Sequence, residues 1–448
     1  MDSTEYVLSI IYKGSILSVS ISDDKGCLVA IASREFTLSH ETRATLDPDE
    51  LLSGVILLLD KVLRKAHIMA QQILGIGVSA PDNAMVVWDV TSGSPLGSVE
   101  FLDVSQHLQR DQASFIAELI EARKGAAISR SGSPVIYVGG IESWLIWNLS
   151  QGAHHVIASS HHLVSVYRLM KEEHFSPGPR DRFPVFAQPV GCDSQIGRVA
   201  TPYLSNVPVP ITSVTTNAVS ALFGAGIVDE HEAFISYDRE GLFVALSAWD
   251  ASHASVEHLR SLRLAASNTT IFEHLISTSF TAPQMVLEWL QTSLFGVYKN
   301  DDLSEIVDTY LRDETLVIEM SASSPDRATI HGIGPATKLE TIYAAAYRAM
   351  ATAVTMAIED VVRQSGHSIY RLYTDSNGFG NAPLYRLQSQ MTKLPLCVRN
   401  EDVVRLGSAF LTGVGANGWD RDKIFEWLTQ NVQSHVYDSG VLLDSGDR

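Results

Sequence analysis

Alternating apolar and polar positions open the chain and predict antiparallel strands. The runs YVLSII, ILSVSIS and CLVAIAS are separated by turn residues at 13–15 and 23–26, so the pattern predicts three consecutive strands. Apolar residues then recur every three or four positions over residues 47–66, with Pro48 in the first turn, which predicts an amphipathic helix. A buried strand is predicted over residues 73–79.

The second half of the chain repeats this succession of strands and helices. The predicted strands are 210–214, 232–236, 242–247 and 369–374, and the predicted helices are 218–223, 338–364, 383–392, 403–413 and 420–432. Prolines concentrate between residues 177 and 210 and mark a seam near residue 208. The pattern predicts an α/β protein with two duplicated domains, residues 1–208 and 209–435, a tail at 436–448 and an interdomain cleft.

Composition and charge exclude several classes of binding partner. The chain has 448 residues, 45% hydrophobic and 19% charged, with a formal net charge of −18, so we expect a folded protein. Nucleic acids and anionic membranes require a basic face, so we expect neither as a partner. Three separated cysteines exclude a disulfide framework, and no apolar run is long enough to span a bilayer. We therefore expect a soluble intracellular protein, cytoplasmic by default, with import into an organelle left open.

Six collinear segments carry a resemblance to a known family. They are 6–30 (opening YVLSIIYKGS), 73–89 (ILGIGVSAPDNAMVVWD), 138–150 (VGGIESWLIWNLS), 209–224 (VPITSVTTNAVSALFG), 330–336 (IHGIGPA) and 374–419 (opening TDSNGFGNAPLYRL). In these segments the chain resembles the FGGY carbohydrate kinases, the family of glycerol kinase and xylulose kinase. The resemblance implies two duplicated ribonuclease-H-like domains of the actin-like ATPase fold, with ligands bound in the cleft.

The resemblance also implies a phosphate-binding hairpin, which this sequence changes. The family motif is Asp-x-Gly-Thr-Thr, and Ile11 stands at the position of its metal-handling Asp. An isoleucine cannot ligate hydrated magnesium. Gly14 and Ser15 match the two threonines and remain nucleotide-binding candidates, and Lys13 is a candidate point charge for a phosphate. The alternative is a plain strand–turn–strand.

The substrate positions of the family are changed as well. Glycerol kinases carry Gln-Arg-Glu where this chain has Pro81, Asp82 and Asn83. Their Trp-x-Asp element matches residues 101–103, where Asp103 is kept. Asp82, Asn83 and Asp103 are therefore candidate substrate-binding residues at degenerate positions.

The resemblance places Asn217 where the family has the aspartate that serves as the general base. A neutral amide cannot accept the substrate proton, so Asn217 either orients a ligand or caps a helix. The second phosphate loop, Gly-Thr-Gly in the family, matches residues 239–241. Gly241 is kept there, but Glu240 would place a negative charge beside a phosphate.

The adenosine segment keeps more of the family pattern than the other sites. Asp375, Gly378, Gly380 and Asn381 match its Asp-Gly-Gly and following Asn, and they are nucleotide-binding candidates. The alternative is a glycine-permitted turn between a strand and a helix. The pairs His154-His155 and His161-His162 lack further ligands at metal spacing, so we expect core or surface histidines.

These departures lead to the hypothesis of a catalytically inactive kinase-like protein that acts as a structural or interaction subunit. Its expected partners are proteins, in a larger complex or a homodimer, and no cofactor or metal is assigned. The alternative is an active kinase of glycerol or another small polyol or sugar, which would use ATP, releasing ADP, with magnesium. A third hypothesis is a nucleotide or sugar sensor without turnover.

Overall fold

A computed structural model describes most of the chain. It covers residues 5–36, 46–102, 114, 116–123, 135–172, 184–199, 202–204, 206–227, 231–237, 242–247, 259–261, 274–279, 309, 315–320, 328–365, 368–376, 381–420 and 434–437. The helices are α1 (Pro48–Ala66), α2 (Ile141–Leu149), α3 (His162–Glu172), α4 (Asn217–Gly224), α5 (Leu339–Ser365), α6 (Ala382–Thr392) and α7 (Val403–Gly415). Within this described part, no helix is long and apolar enough to cross a bilayer.

The strands lie between these helices, mostly in runs of several consecutive strands. They are β1 (Tyr6–Lys13), β2 (Ile16–Ser22), β3 (Leu28–Glu35), β4 (Ile73–Ala80), β5 (Ala84–Asp89), β6 (Ser94–Pro95), β7 (Glu100–Phe101), β8 (Ile136–Gly139), β9 (Val156–Ala158), β10 (Val185–Phe186), β11 (Gln188–Val190), β12 (Gly197–Val199), β13 (Val209–Thr216), β14 (Glu232–Ser236), β15 (Leu242–Ser247), β16 (Leu259–Ser261), β17 (His274–Ser279), β18 (Val317–Met320), β19 (Ala328–His331), β20 (Arg371–Asp375), β21 (Leu396–Arg399) and β22 (Ser434–Tyr437).

The first large sheet has the strand order β12–β13–β4–β1–β2–β3. The strands β1, β2 and β3 pair antiparallel as consecutive hairpins, whereas β1–β4 and β4–β13 pair in parallel. Helix α1 packs against β2 and β3 through its leucine and valine stripe. It begins after Asp47, whose side chain accepts a hydrogen bond from the amide of Asp49, and this N-cap fixes the start of the helix.

The second large sheet repeats the arrangement in the other half of the chain. Its order is β16–β17–β15–β14–β20–β21–β22, with antiparallel pairs β14–β15 and β15–β17 and parallel pairs β14–β20 and β20–β21. An antiparallel meander followed by parallel strands therefore occurs in both sheets. The predicted α/β architecture with two similar halves is confirmed.

Two predicted segments fall differently in the structure. The strand predicted at 210–214 is β13, and it pairs with β4 of the first sheet instead of opening the second sheet. Parallel pairing joins distant segments, so local periodicity carries no signal for it. Residues 436 and 437, assigned above to a tail, lie in β22 and pair with β21. The helix predicted at 420–432 lies outside the described residues from 421 onward. The domain limits themselves stay a prediction.

Helices α4 and α7 cross between the two sheets at close range. A Cβ added to Gly407 would lie 1.8 Å from the carbonyl oxygen of Ser220, and one added to Gly224 would lie 1.8 Å from that of Val403. Only glycine permits this approach of two backbones. The crossing belongs to an apolar cluster that contains Val7 of β1 and also Phe234 of β14. It therefore fixes the carboxyl ends of β1, β4 and β13 close to the end of β20.

Candidate functional site

The carboxyl ends of β1, β4, β13 and β20 bring together residues that are far apart in the sequence. Lys13 ends β1 and Asp375 ends β20, and the Lys13 Nζ lies 3.8 Å from an Asp375 carboxylate oxygen. The Asp375 side chain is fully buried and that of Lys13 is 19% exposed. Among the sequence-predicted positions, Lys13 and Asp375 therefore meet directly, and their ion pair joins the two sheets.

The side chain of Asn217 is held by hydrogen bonds on both sides. Its Nδ2 donates to the carbonyl oxygen of Tyr12 at 2.9 Å, and its Oδ1 accepts from the Ser79 hydroxyl at 2.9 Å. Asn217 is only 3% exposed, so these bonds are shielded from water. The amide consequently ties the first turn of α4 to the ends of β1 and β4.

The interpretation of Asn217 as a helix cap is wrong. The N-cap of α4 is Thr216, whose side chain accepts from the amide of Val219 at 3.5 Å. Asn217 is the first helical residue, and its side chain points back toward the strands instead of onto the helix amides. An NAVSALFG run preceded by threonine offers two cap candidates, and only the three-dimensional contacts decide between them.

Ile11 lies in the apolar core. It is 3% exposed and packs in the cluster that includes Cys192, Ala218 and Phe223. The position that the resemblance matches to the metal-handling Asp therefore carries a hydrocarbon side chain that packs inward, and it offers no oxygen to a cation.

The first hairpin keeps the shape of a tight turn. Lys13 pairs with Ile16 across a two-residue connection, and Gly14 has a positive φ of 60°. A Cβ added at Gly14 would meet no heavy atom within 4 Å, so the turn faces open space. Ser15 is half-buried, and its carbonyl oxygen accepts from the amide of Phe36 at 2.8 Å.

The substrate segment follows β4 directly. Asp82 and Asn83 are both half-buried, so each retains some access to solvent. The Asn83 amide donates to the carbonyl oxygen of Leu102 at 3.1 Å, which joins this segment to the residue after β7. The Asp82 carbonyl oxygen accepts from the amide of His162 at 2.9 Å. The segment is thus anchored on two sides, and Asp103 lies outside the described residues.

Behind this segment lies a buried acid–imidazole pair that the sequence analysis missed. Glu142 Oε2 is 4.0 Å from His161 Nε2, and both side chains have no exposed surface. Burial raises the pKa of Glu142 to about 8, and burial followed by the charge of His162 lowers the pKa of His161 to about 3. Both groups are therefore mostly neutral at pH 7. The only sequence signal was an isolated Glu in the apolar run VGGIESWLIWNLS.

In the adenosine segment, the described residues serve structural contacts. Asn381 caps α6, because its Oδ1 accepts from the amide of Leu384 at 3.1 Å. Its Nδ2 donates to the Tyr347 hydroxyl at 3.0 Å, so the whole amide has partners. The candidates Gly241, Gly378 and Gly380 lie outside the described residues, as do Arg239 and Glu240.

Comparison with known proteins shows which proteins the chain is similar to. Residues 6–109 match the N-terminal domain model of the FGGY family of carbohydrate kinases. This part of the chain is therefore similar to the FGGY N-terminal domain, and the chain as a whole is similar to glycerol kinases. It is 23% identical to the glycerol kinase of Listeria welshimeri over 94% of this chain and 92% of that protein. It is also 23% identical to the glycerol kinase of Xylella fastidiosa over 96% of this chain and 93% of that protein.

Solved structures of a glycerol kinase and a xylulose kinase share the fold. Plasmodium falciparum glycerol kinase with ADP superposes with a TM-score of 0.75 at 17% identity, over 98% of this chain and 94% of that chain. Xylulose kinase of Lactobacillus acidophilus superposes with a TM-score of 0.73 at 12% identity, over 97% and 93% of the two chains. The two-domain ribonuclease-H-like fold expected from the sequence is confirmed.

The FGGY resemblance implies a magnesium ion at the phosphates, and the described residues do not fit one. Magnesium is bound through oxygen ligands, yet Ile11 supplies none, and the Lys13 ammonium lies beside the buried Asp375 carboxylate. In the described part of the chain, no group of three or more His, Cys, Asp or Glu side chains is placed to hold a metal ion.

Proposed function

We propose that this chain keeps the ligand-binding cleft of a carbohydrate kinase and that Asn217 acts there as a structural link, with no role as a proton acceptor. The observation that carries the proposal is the pair of hydrogen bonds from Asn217 to Tyr12 and Ser79. A neutral amide has no basic lone pair for a hydroxyl proton, and both ends of this amide already have partners.

The first candidate function is ATP-dependent phosphorylation of glycerol or of another small polyol or sugar by atypical residues. It is supported by the likeness to glycerol kinases, which extends over more than nine-tenths of both chains. This function requires a different proton acceptor. Asp82 is the residue to test, because it is a half-buried carboxylate in the segment that the resemblance matches to the substrate-binding segment of glycerol kinases.

The second candidate function is that of a catalytically inactive subunit with a structural or interaction role, with or without bound nucleotide. The specific observation in its favour is that Ile11 and Asn217 are both integrated into the packing and hydrogen bonding of the core. The partner in this case would be another protein or a second copy of the chain. The comparisons give the kinase candidate broader support than this one, so it stands first.

One assay separates the two candidates. ATP with magnesium is incubated with glycerol, xylulose and gluconate, and phosphorylated product is measured for the wild-type chain and for Asp82→Asn. Product from the wild type that falls by about a hundredfold or more in Asp82→Asn supports the kinase candidate. Product at background for every acceptor supports the inactive subunit. Wild-type turnover that Asn217→Ala abolishes in a folded protein would overturn the proposal for Asn217.

A further inference from the structure

The Lys13–Asp375 pair lies at the point where the two sheets approach each other. The Asp375 carboxylate is fully buried, and the ammonium 3.8 Å away is partly open to solvent. A buried carboxylate is unfavourable without a positive partner, so this contact stabilises the charged form of Asp375. A protein-borne cation is therefore fixed between the first hairpin and the end of β20.

We propose that the ammonium of Lys13 takes the place of the divalent cation in this cleft, so that nucleotide phosphates bind here without a metal ion. The inference rests on the proposed ligand-binding cleft. It follows from two changes that occur in the same hairpin: Ile11 removes the oxygen ligand, and Lys13 supplies a positive charge two residues later. The first change prevents magnesium binding at this position, and the second supplies charge neutralisation by other means.

The chemistry of an ammonium group fits this role. It carries three donors, so one ammonium can serve a carboxylate and phosphate oxygens at the same time. The adjoining turn leaves room for a ligand, because the space beyond Gly14 contains no heavy atom within 4 Å of an added Cβ. A magnesium ion entering this position would lie close to the ammonium, and repulsion between two positive charges opposes that arrangement.

The test is calorimetric titration of the full chain with ADP, once in EDTA and once in excess magnesium. We expect binding in EDTA, with a dissociation constant that magnesium changes by less than about threefold. ADP binding that is lost in EDTA and restored by magnesium would overturn the inference. Absence of ADP binding in both conditions would overturn it as well.

Three single substitutions, one of them a control, test whether the Lys13 ammonium is the cation that contacts the ADP phosphates. Lys13→Met keeps the aliphatic stem and removes the charge, and it is expected to weaken ADP binding in EDTA by about tenfold or more. The matched control is Lys25→Met, in the exposed turn of the next hairpin, with an expected change of less than about twofold. Asp375→Asn removes the competing carboxylate and is expected to leave binding equal or tighter. An unchanged affinity in Lys13→Met would overturn the inference.

One further variant separates an effect on folding from an effect on ADP binding. If Lys13→Met does not fold because the buried Asp375 carboxylate loses the Lys13 ammonium, the double variant Lys13→Met/Asp375→Asn removes both charges and replaces it in the titration. The inference and the kinase proposal can also fail separately. Sugar phosphorylation with magnesium but no ADP binding in EDTA contradicts only the inference, whereas ADP binding in EDTA without turnover contradicts only the kinase candidate.

Discussion

At the scale of single residues, Asn217 shows how one side-chain group sets the role of a position. Its NH₂ group donates to the Tyr12 carbonyl oxygen, and a carboxylate at the same place would set two acceptors against each other. The surroundings of Asn217 therefore offer an acceptor that matches its amide donor. Restoring an aspartate at this single position would not restore the environment of a general base.

Asn217→Asp is expected to destabilise the protein by about 1–3 kcal/mol, because a buried acceptor then faces the Tyr12 carbonyl oxygen without a donor. Urea denaturation at pH 7 measures the effect. The control is Asn417→Asp, at an exposed position with a φ of 56°, where the change is expected to stay within about 0.5 kcal/mol. An Asn217→Asp variant as stable as the wild type would show that the amide donor is not needed.

The raised pKa of Glu142 should make the free energy of unfolding decrease as the pH rises. Its pKa of about 8 in the native state lies above the unfolded value of about 4.3, so the native state binds the proton more tightly. The free energy of unfolding should therefore fall as the pH rises between these two values. The buried carboxyl is neutral over most of that range and becomes an unfavourable buried charge above it.

Glu142→Gln is expected to remove this dependence while keeping the shape of the side chain. The difference in unfolding free energy between Glu142→Gln and the wild type should grow in favour of the variant from pH 5 to pH 8, by at most about 1.4 kcal/mol per pH unit. A pH-independent difference for Glu142→Gln would contradict the assignment of a raised pKa.

At the scale of elements, the crossing of α4 and α7 couples the two halves. The helices approach through Gly224 and Gly407, and neither contact has room for a side chain. Because α7 also packs against β1, β4 and β13, a shift at this crossing would be transmitted to the strand ends that carry the candidate site.

Gly407→Ala is expected to destabilise the protein by more than about 3 kcal/mol, since the new methyl group would collide with the Ser220 carbonyl oxygen. Thermal unfolding of the purified variant measures this. Gly334→Ala is the matched control, because a Cβ there meets no heavy atom within 4 Å, and its unfolding temperature should stay close to the wild-type value. Equal losses in the two variants would show that the close crossing is not responsible.

Local patterns predicted the elements better than their assembly. The alternation of residues 6–35 is sufficient for the β1–β2–β3 hairpins, and the heptad-like spacing of 47–66 for α1. By contrast, the placement of β13 in the first sheet and the Lys13–Asp375 contact depend on pairing between distant segments. Resemblance to the family located the position of Asn217 in the sequence. It could not predict the hydrogen bonds of the Asn217 amide, because the distances along the sequence from Asn217 to Tyr12 and Ser79 follow no known motif.

At the scale of the whole molecule, the two similar sheets meet at the Lys13–Asp375 contact, close to residues that differ from the FGGY motifs they resemble. Ile11 packs in the core, Asn217 links β1 and β4 to α4, and Lys13 pairs with Asp375 across the sheets. The resemblance to the FGGY kinases matches these three positions to the metal-handling Asp, the general base and the first phosphate loop. Because all three changes affect groups expected to act in phosphoryl transfer, we expect that this fold can bind a ligand without transferring a phosphoryl group.

The most direct test of the account compares sugar phosphorylation by the wild type and by Asn217→Ala, each normalised to the amount of folded protein. The account predicts that the two rates agree within about tenfold, whether they are clear or at background, while Asn217→Ala unfolds at a lower temperature. A clear wild-type rate that falls by about a hundredfold or more in folded Asn217→Ala would contradict it, since that loss is typical of a missing general base.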